Sequence, residues 1–329
     1  MPKVLITAPG ARGDDDPRFQ TLRAAGWDVK THRWPAGRPD EEEVVELVQG
    51  FDAVIASSNE RYTRSVLERA DTLKHVARWG VGYETVDVPA ASDNGVVVTT
   101  TQGSNHWAVA DQAWTLMLAV SRRVVELDRI GRTHTWSRPL ARDVWQKTLG
   151  VVGLGRIGKG VAQRAFGFEM KVVAYEPYPD LDFCKKWNIE LVDSIDEVFR
   201  QGDFVTLHAP GDNKGLANAE RIALMKPTAV LINTARGTLV DEDALYEALS
   251  TGKIGGAGLD VREHEPPEDE RDDRFAALDN VVLTPHVAGS THEAQAVSSV
   301  MVMEQIIAAG RGEMPHGIHN PEIWEGRRR

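Results

Sequence analysis

The stretch TLGVVGLGRIGKGVAQ, Thr148–Gln163, contains the spacing G-x-G-x-x-G in Gly153, Gly155 and Gly158. An apolar, strand-like run precedes the glycines and a helix-like run follows them. In this context the first glycine permits a tight turn and the second lets the backbone approach a pyrophosphate. The third lets the helix pack closely on the strand. The stretch therefore predicts a dinucleotide-binding turn in the middle of the chain.

The residues after this turn indicate which dinucleotide it binds. Arg156 and Ile157 begin the predicted helix, where unpaired backbone N–H groups favour phosphate. Glu176 ends the next strand-like run, about 20 residues after Gly155, the spacing of the ribose-binding acid. A carboxylate there accepts hydrogen bonds from both ribose hydroxyls and repels a 2′-phosphate, and no arginine follows it directly. The pattern predicts NAD(H) in preference to NADP.

Short apolar runs alternate with helix-length segments along most of the chain. The predicted strands are Val4–Thr7, Ala53–Ser57, His75–Arg78, Val96–Thr99, Leu149–Gly153, Lys171–Tyr175, Phe204–Ala209, Ala229–Asn233, Gly256–Asp260 and Val281–Pro285. Nearly continuous apolar strands separated by helices are typical of parallel sheets covered on both faces, which is α/β architecture. Helical spacing also predicts one long helix, Asn105–Arg132, and a second, His292–Ala309.

The composition of the chain narrows the classes of function that we expect. The 329 residues carry a net charge of -11, which argues against a broad electrostatic surface for nucleic acid. The single cysteine, Cys184, allows no intrachain disulfide, which favours a reducing compartment. The start shows no signal-peptide pattern, and no apolar run approaches the roughly 20 residues that span a bilayer. The ten histidines show no H-x-x-x-H spacing. We expect a cytoplasmic protein without metal or membrane.

Three later strand ends carry polar residues that suit one reaction. Arg236 follows one strand, Asp260 ends the next, and His286 follows the last. Each has a structural explanation on its own, and position alone does not choose between Glu263 and Glu265 as a partner for the histidine. Together, a guanidinium that binds a carboxylate and a histidine that exchanges a proton are the parts needed to reduce a 2-keto acid.

The chain resembles the D-isomer-specific 2-hydroxyacid dehydrogenases, a family that includes phosphoglycerate dehydrogenases and glyoxylate/hydroxypyruvate reductases. The resemblance spans nearly the whole chain, in the family's order. The matching blocks are RWGVGYETVD (Arg78–Asp87), VVVTTTQGSNHWAVAD (Val96–Asp111), GLGRIG, INTARG, LDVREHEPP, LTPHVAGST and HNPEIW (His319–Trp324).

The resemblance implies a role for each matching residue. Arg236 is implied as the substrate anchor, His286 as the general acid/base and Glu265, not Glu263, as its partner. For the substrate carboxylate the resemblance adds the backbone amides of Val81 and Gly82, with Arg78 nearby. The implied cofactor-binding residues are Gly153, Gly155, Arg156, Ile157, Gly158, Glu176, Ala209, Pro210, Thr234, Ala235, Asp260, Val109 and Gly289.

The family's architecture explains why the dinucleotide turn lies in mid-chain. The resemblance implies two Rossmann/flavodoxin-like doubly wound domains with an active-site cleft between them. Residues 1–103 with 291–329 form the substrate-binding domain, and residues 104–290 form the NAD-binding domain. It also implies a homodimer through the cofactor domain, with the arm around Trp136 crossing to the second subunit. We hypothesise that Trp136 or Arg138 acts in trans, and plain dimer packing is the alternative.

The substrate and one other function stay open at this stage. Arg78 matches phosphoglycerate-specific members, but Ser57 stands where those carry a second arginine, and Arg61 lies further along. Trp79 either narrows the substrate pocket or packs away from it. A formate dehydrogenase is disfavoured because that branch has glutamine in place of Glu265. The alternative to an enzyme is an NAD(H)-sensing, corepressor-like scaffold of the same fold.

Overall fold

The computed structural model describes residues 1–8, 13–35, 37–133, 136–265, 267 and 274–328. The chain divides into two compact units, the first formed by Met1–Asn105 with Thr291–Arg329 and the second by His106–Ser290. The described residues form one parallel sheet in each unit, of five strands in the first and seven in the second.

The first unit is a doubly wound sheet with the order β2-β1-β3-β4-β5. Its strands are β1 (Lys3–Ile6), β2 (Asp28–Thr31), β3 (Ala53–Ala56), β4 (His75–Arg78) and β5 (Val97–Thr100). Its helices are α1 (Gln20–Ala24), α2 (Glu41–Val48), α3 (Arg64–Arg69), α4 (Val88–Asp93) and, from the C-terminal part of the chain, α12 (His292–Gly310). Separate apolar cores lie on the two faces, and α12 covers one of them through Val302, Met303 and Ile306.

The second unit has the strand order β12-β11-β10-β9-β6-β7-β8. Its strands are β6 (Thr148–Val152), β7 (Lys171–Tyr175), β8 (Glu190–Leu191), β9 (Phe204–Leu207), β10 (Val230–Asn233), β11 (Gly256–Leu259) and β12 (Val281–Leu283). Its helices are α5 (His106–Ser121), α6 (Val124–Arg132), α7 (Arg156–Ala165), α8 (Leu181–Lys186), α9 (Ile195–Gln201), α10 (Ala219–Ala223) and α11 (Glu242–Ser250). The order reverses direction at β6, so ligands are expected beyond the carboxyl ends of the central strands.

The predicted α/β class with parallel, doubly wound sheets is confirmed, and each predicted strand is present within a few residues of its predicted ends. The prediction missed β2 and β8. Both are edge strands, and β8 has only two residues, so neither has the apolar run of a central strand.

The prediction of one long helix over Asn105–Arg132 is wrong. Helix α5 ends at Ser121 and α6 starts at Val124, because Arg123 adopts a left-handed φ of 53° that interrupts the helical ladder. None of the described helices combines the length and the apolar character that crossing a membrane requires.

Candidate active site

The dinucleotide turn follows β6 and depends on two glycines for its shape. Gly153 has a φ of 92°, and a Cβ on it would lie 2.8 Å from the His208 carbonyl. A Cβ on Gly158 would lie 2.0 Å from the Gly153 carbonyl oxygen, so only glycine lets α7 pack here. At Gly155 a Cβ would meet nothing within 4 Å, and no side chain caps the helix that begins at Arg156. Open space above uncapped N–H groups fits a pyrophosphate.

Glu176 lies at the edge of this turn, directly after β7. Its Oε2 accepts a hydrogen bond of 2.8 Å from the Leu154 N–H, and its Oε1 accepts one of 3.2 Å from the Tyr178 N–H. These bonds orient the carboxylate and leave further lone pairs for ribose hydroxyls, because a carboxylate accepts about four hydrogen bonds. The position fits the expected ribose-binding role.

The other expected cofactor residues lie in loops after neighbouring strands. Ala209 and Pro210 follow β9, and Thr234 and Ala235 follow β10, the strand next to β9 in the sheet. The Thr234 hydroxyl is buried with no hydrogen-bond partner among the described residues, an unsatisfied group that a ligand would complete. Val109 is buried within α5, and Gly289 lies in the loop after β12.

Asp260, at the end of β11, is 1% exposed and holds the loop that carries His286. Its carboxylate accepts hydrogen bonds from the Thr284 hydroxyl at 2.5 Å, the Val287 N–H at 3.0 Å and the Ala288 N–H at 2.8 Å. The His286 N–H also donates to the Asp260 carbonyl at 2.7 Å. The expected contact of Asp260 with the nicotinamide end remains a prediction, and the geometry assigns this side chain a bracing role.

His286 and Glu265 form a hydrogen-bonded pair. The His286 Nδ1 lies 2.6 Å from Glu265 Oε2, and the second carboxylate oxygen accepts the Arg262 N–H at 2.8 Å. His286 has a φ of 52°, an unusual backbone for a non-glycine residue. The histidine side chain is 52% exposed, so the ring is held by one nitrogen and is accessible to a ligand.

The pair shifts both pKa values in the direction of an ion pair. The hydrogen bond that His286 donates to Glu265, followed by the charge of Glu265, raises the pKa of His286, although burial and the nearby Arg236 oppose the shift. Partial burial acts to raise the pKa of Glu265, yet the bond and charge of His286, the Arg262 N–H and Arg236 together hold that pKa below its usual value. His286 therefore keeps its proton to a higher pH than a free histidine does.

Arg236 belongs to the same cluster. It follows β10, is half-buried, and its charge acts on both members of the pair. Its Nη1 donates to the Ala235 carbonyl at 2.7 Å, and its backbone carbonyl accepts a bond from the Asn233 amide at 2.8 Å. The structure thus brings a guanidinium, an imidazole and a carboxylate to one edge of the second sheet.

Glu263 is not the partner of His286. Its N–H donates to Glu242 Oε1 at 2.9 Å, and that buried carboxylate also pairs with Arg262 at 3.0 Å. Which of the two acids, Glu263 or Glu265, reaches His286 depends on the path of this loop. The amino-acid sequence alone does not specify that path.

The expected substrate residues of the first unit lie at the end of β4 and directly after it. Arg78 is 8% exposed, and its Nη1 donates to the carbonyls of Ala56 at 3.2 Å and Trp79 at 3.1 Å. The same Nη1 lies 3.6 Å from where a Cβ of Gly80 would be, under the turn that leads to Val81 and Gly82. Arg78 therefore supports this turn, and the half-buried Val81 and Gly82 form its surface.

Trp79 packs against an apolar core of the first unit, with the Arg18 guanidinium 6.0 Å from its ring. The same core contains Ile6, Ile55 and Val302. Of the two alternatives, the structure shows packing into the core.

A buried carboxylate at the edge of the first sheet was missed from the sequence. Glu60 is fully buried and accepts hydrogen bonds from the Ser57 N–H at 2.8 Å, the Ser57 hydroxyl at 2.5 Å, the Trp34 indole N–H at 2.9 Å and the Thr7 hydroxyl. The spacing S-x-x-E, a capping-box pattern, is the signal that could have indicated it. Among the residues that the structure describes, no group of histidine, cysteine or acidic side chains is arranged to hold a metal ion.

Comparison with known proteins identifies relatives along the chain. A sequence model described as "D-isomer specific 2-hydroxyacid dehydrogenase, NAD binding domain" matches residues 114–288. A glyoxylate reductase of Korarchaeum cryptofilum is 40% identical over 293 residues, which cover 87% of this chain and 87% of that protein.

A D-3-phosphoglycerate dehydrogenase of Methanocaldococcus jannaschii is 40% identical over 284 residues, which cover 85% of this chain and 54% of that protein. The chain thus spans only about half of the length of that relative. The crystal structure of a Thermus thermophilus protein superposes with a TM-score of 0.85 at 35% identity, covering 96% of this chain and 99% of that chain.

Proposed function

We propose, from the premise that the chain belongs to the D-isomer-specific 2-hydroxyacid dehydrogenase family and contains its NAD-binding domain, that it reduces a small 2-keto acid to the D-2-hydroxy acid, or catalyses the reverse. The observation that carries the proposal is the 2.6 Å contact between His286 and Glu265 beside Arg236.

The proposed chemistry assigns each side chain one task. NADH, which the turn at Gly153 and the Glu176 carboxylate would hold, would supply the hydride for the C2 carbonyl carbon of the substrate. His286 donates a proton to the carbonyl oxygen as the C=O electron pair moves onto it, so the keto group becomes a hydroxyl. Glu265 holds the ring through Nδ1 and keeps it protonated, which leaves Nε2 to face the substrate. Arg236 binds the substrate carboxylate and polarises the carbonyl.

The first unit contributes to the recognition of the carboxylate. We assign this task to the backbone N–H groups of Val81 and Gly82, on the turn that Arg78 supports. This proposal makes Arg78 a positioning residue and not a ligand, because its guanidinium already donates to the carbonyls of Ala56 and Trp79.

The proposed substrate is unphosphorylated, of the glyoxylate or hydroxypyruvate kind. The buried carboxylate of Glu60 and the absence of a second arginine at Ser57 disfavour a phosphate at the carboxyl edge of the first sheet. A 3-phosphoglycerate-like substrate is the second candidate, because Arg78 stands before the Gly80 turn as it does in phosphoglycerate-specific members.

A steady-state assay tests the activity. NADH and NADPH oxidation would be measured with glyoxylate, hydroxypyruvate, pyruvate and 3-phosphohydroxypyruvate. We expect turnover with glyoxylate or hydroxypyruvate and NADH, and weaker turnover with the phosphorylated acid. Tight NADH binding without turnover on any acid would instead favour the NAD(H)-sensing scaffold, and preference for 3-phosphohydroxypyruvate would favour the second candidate.

The ribose contact has its own test. Replacing Glu176 with alanine removes the acceptor for the ribose hydroxyls and the charge that repels a 2′-phosphate, so the ratio of kcat/KM for NADH to that for NADPH should fall about tenfold or more. The matched control is Glu190→Ala, which removes an exposed acid of β8 that is paired with Lys171 of β7. An unchanged ratio in Glu176→Ala would place the ribose contact elsewhere.

We also propose that the protein works in a reducing compartment such as the cytoplasm, because its single cysteine can form no intrachain disulfide.

The second unit is proposed to form a homodimer. No side chain of α6 is buried, and large apolar side chains are exposed on α6 and after it. Trp136 is 84% exposed, with the Arg138 guanidinium 6.0 Å from its ring.

Light scattering and turnover of Trp136→Ala test this surface and the trans hypothesis together. A monomer would assign Trp136 to dimer packing, and lost turnover in an intact dimer would assign it to the partner's site. An intact dimer with unchanged turnover would remove Trp136 from both roles.

A further inference from the structure

The first unit contains a cavity at the end of its sheet opposite to the Val81–Gly82 turn. Its volume is about 630 Å³, within the size range of small-molecule sites. The floor is formed where the strands begin, at Ala53, His75 and Val97, and one wall by the C-terminal end of α12. None of these residues takes part in the proposed reaction, so the cavity needs a separate explanation.

His75 gives the floor a directional polar group. It is 3% exposed and lies on the face of β4 that is directed toward α12, because Ala77, two residues on, belongs to the core that α12 covers. Its Nε2 lies 2.9 Å from the Thr99 hydroxyl, which itself donates to Gln305 Oε1 at 2.9 Å. The Gln305 amide donates to the Thr100 carbonyl, which fixes its orientation.

This chain of bonds determines which nitrogen of His75 carries the proton. The Thr99 hydroxyl has one hydrogen and gives it to Gln305, so His75 Nε2 must be the donor to Thr99. The ring is neutral, since burial lowers its pKa to about 3. Nδ1 is therefore a buried acceptor, and no donor reaches it among the described residues. An O–H or N–H group of a ligand would satisfy it.

Aromatic walls and cations complete the cavity. Trp27 and Trp324 line it, and a Cβ on Gly310 would lie 2.8 Å from Trp27, which shows how closely the end of α12 packs on that ring. Four cationic side chains line it against two carboxylates, those of Asp52 and Glu325. One cation, Lys74, is paired with Asp52 at 2.8 Å.

Two of the other cations suit an incoming anion. Arg311 is exposed at the C-terminal end of α12 and forms no ion pair among the described residues. Arg327 lies 3.5 Å over the Trp324 ring, and its Nη1 donates to the Trp324 carbonyl, so its other N–H groups would meet an anion. The fourth, Arg328, already donates to the carbonyls of Ala70 and Leu73. The lining thus offers one buried acceptor, the exposed parts of two largely buried tryptophan rings, and two cations for a carboxylate.

We propose that this cavity is a second ligand site, separate from the proposed active site, for a small aromatic carboxylate that carries an O–H or N–H donor. The donor bonds to Nδ1 of His75, the ring contacts Trp27 and Trp324, and the carboxylate contacts Arg311 and Arg327. The site does not depend on the proposed enzymatic function.

Isothermal titration calorimetry with matched probes tests the site. The probe is 3-hydroxyphenylacetate, with phenylacetate lacking the hydroxyl and 3-hydroxyphenylacetamide lacking the charge. None of them is a 2-hydroxy acid. We expect 3-hydroxyphenylacetate to bind with a submillimolar Kd and each control probe to bind about fivefold to tenfold more weakly. No binding of any probe at millimolar concentration would overturn the proposal.

Variants locate the binding. Arg311→Gln, an exposed change, should weaken both carboxylates several-fold and leave the amide unaffected. His75→Leu should abolish the advantage of 3-hydroxyphenylacetate over phenylacetate, with a circular dichroism melt to check folding. Lys253→Gln, on an exposed pair of the second unit, is the control. Unchanged affinities in both Arg311→Gln and a folded His75→Leu would place the binding elsewhere and overturn the proposal.

Discussion

Each unit places a carboxylate beyond the strand ends of its sheet, but the two carboxylates are held in opposite ways. Glu265 is partly exposed and bonds to a histidine that is 52% exposed. Glu60 is fully buried and accepts bonds from two hydroxyls, a backbone N–H and an indole. A partner that titrates and reaches solvent can move a proton, whereas fixed donors in a buried site can only hold the chain. The exposure of the carboxylate and the type of its hydrogen-bond partner therefore distinguish the proposed role of Glu265 in proton transfer from the structural role of Glu60.

Removing the titratable partner should have the largest effect. His286→Asn keeps a residue type that tolerates the left-handed backbone at φ 52° but cannot donate the proton, so kcat should fall by about 1,000-fold or more. NADH binding, measured by fluorescence titration, should change little. His292→Asn, further along the chain, is the control. A kcat within about tenfold of the parent would exclude His286 as the general acid.

Removing the buried carboxylate of Glu60 should lower the stability of the fold and leave turnover almost unchanged. Glu60→Ala leaves the donors of Ser57 and Trp34 without an acceptor, which costs about 3 kcal/mol in the free energy of unfolding. Urea denaturation would measure it, with the exposed Glu68→Ala as the matched control. The kcat per folded molecule should stay within about twofold. A large loss of kcat with unchanged stability would contradict the structural role.

Asp260 is the intermediate case, since it is buried like Glu60 but braces the loop of His286. Asp260→Asn replaces one acceptor oxygen with a donor, so the carboxylate's bonds to the Val287 and Ala288 N–H groups cannot both persist. We expect kcat to fall about 30-fold, on the order of 2 kcal/mol, with an unchanged Kd for NADH. A raised Kd with little change in kcat would instead favour the predicted contact with the nicotinamide end.

The smallest predicted effect is a shift along the pH axis. Glu265 raises the pKa of His286, so the protonated acid persists above the usual pH, and keto-acid reduction declines as pH rises through that raised pKa. Glu265→Gln removes the charge, so the declining limb should move to lower pH, with kcat reduced about tenfold at neutral pH. If the declining limb of the pH–rate profile does not move, a group other than His286 sets it. The control variant Glu263→Gln should leave the pH–rate profile unchanged.

The same contrast shows why sequence patterns predicted one carboxylate and not the other. Arg236, Asp260 and His286 follow strands of strong apolar pattern, so their positions at one sheet edge could be predicted. Glu60 lies four residues after the end of β3, in a loop whose polar residues are typical of an exposed turn. Its burial depends on Trp34 and Thr7, which belong to other segments of the chain.

The amino-acid sequence alone determined the α/β class and the dinucleotide turn, and it predicts the preference for NAD and, through the family resemblance, the residues of the site. Those features depend on short-range periodicity and spacing, which neighbouring residues encode. Only the tertiary structure decided the break in the helix at Arg123, the packing of Trp79, the bracing role of Asp260 and the contact of His286 with Glu265. It alone revealed the His75 cavity. Each of these depends on residues distant in the chain meeting at one place, and a local pattern carries no information about the partner.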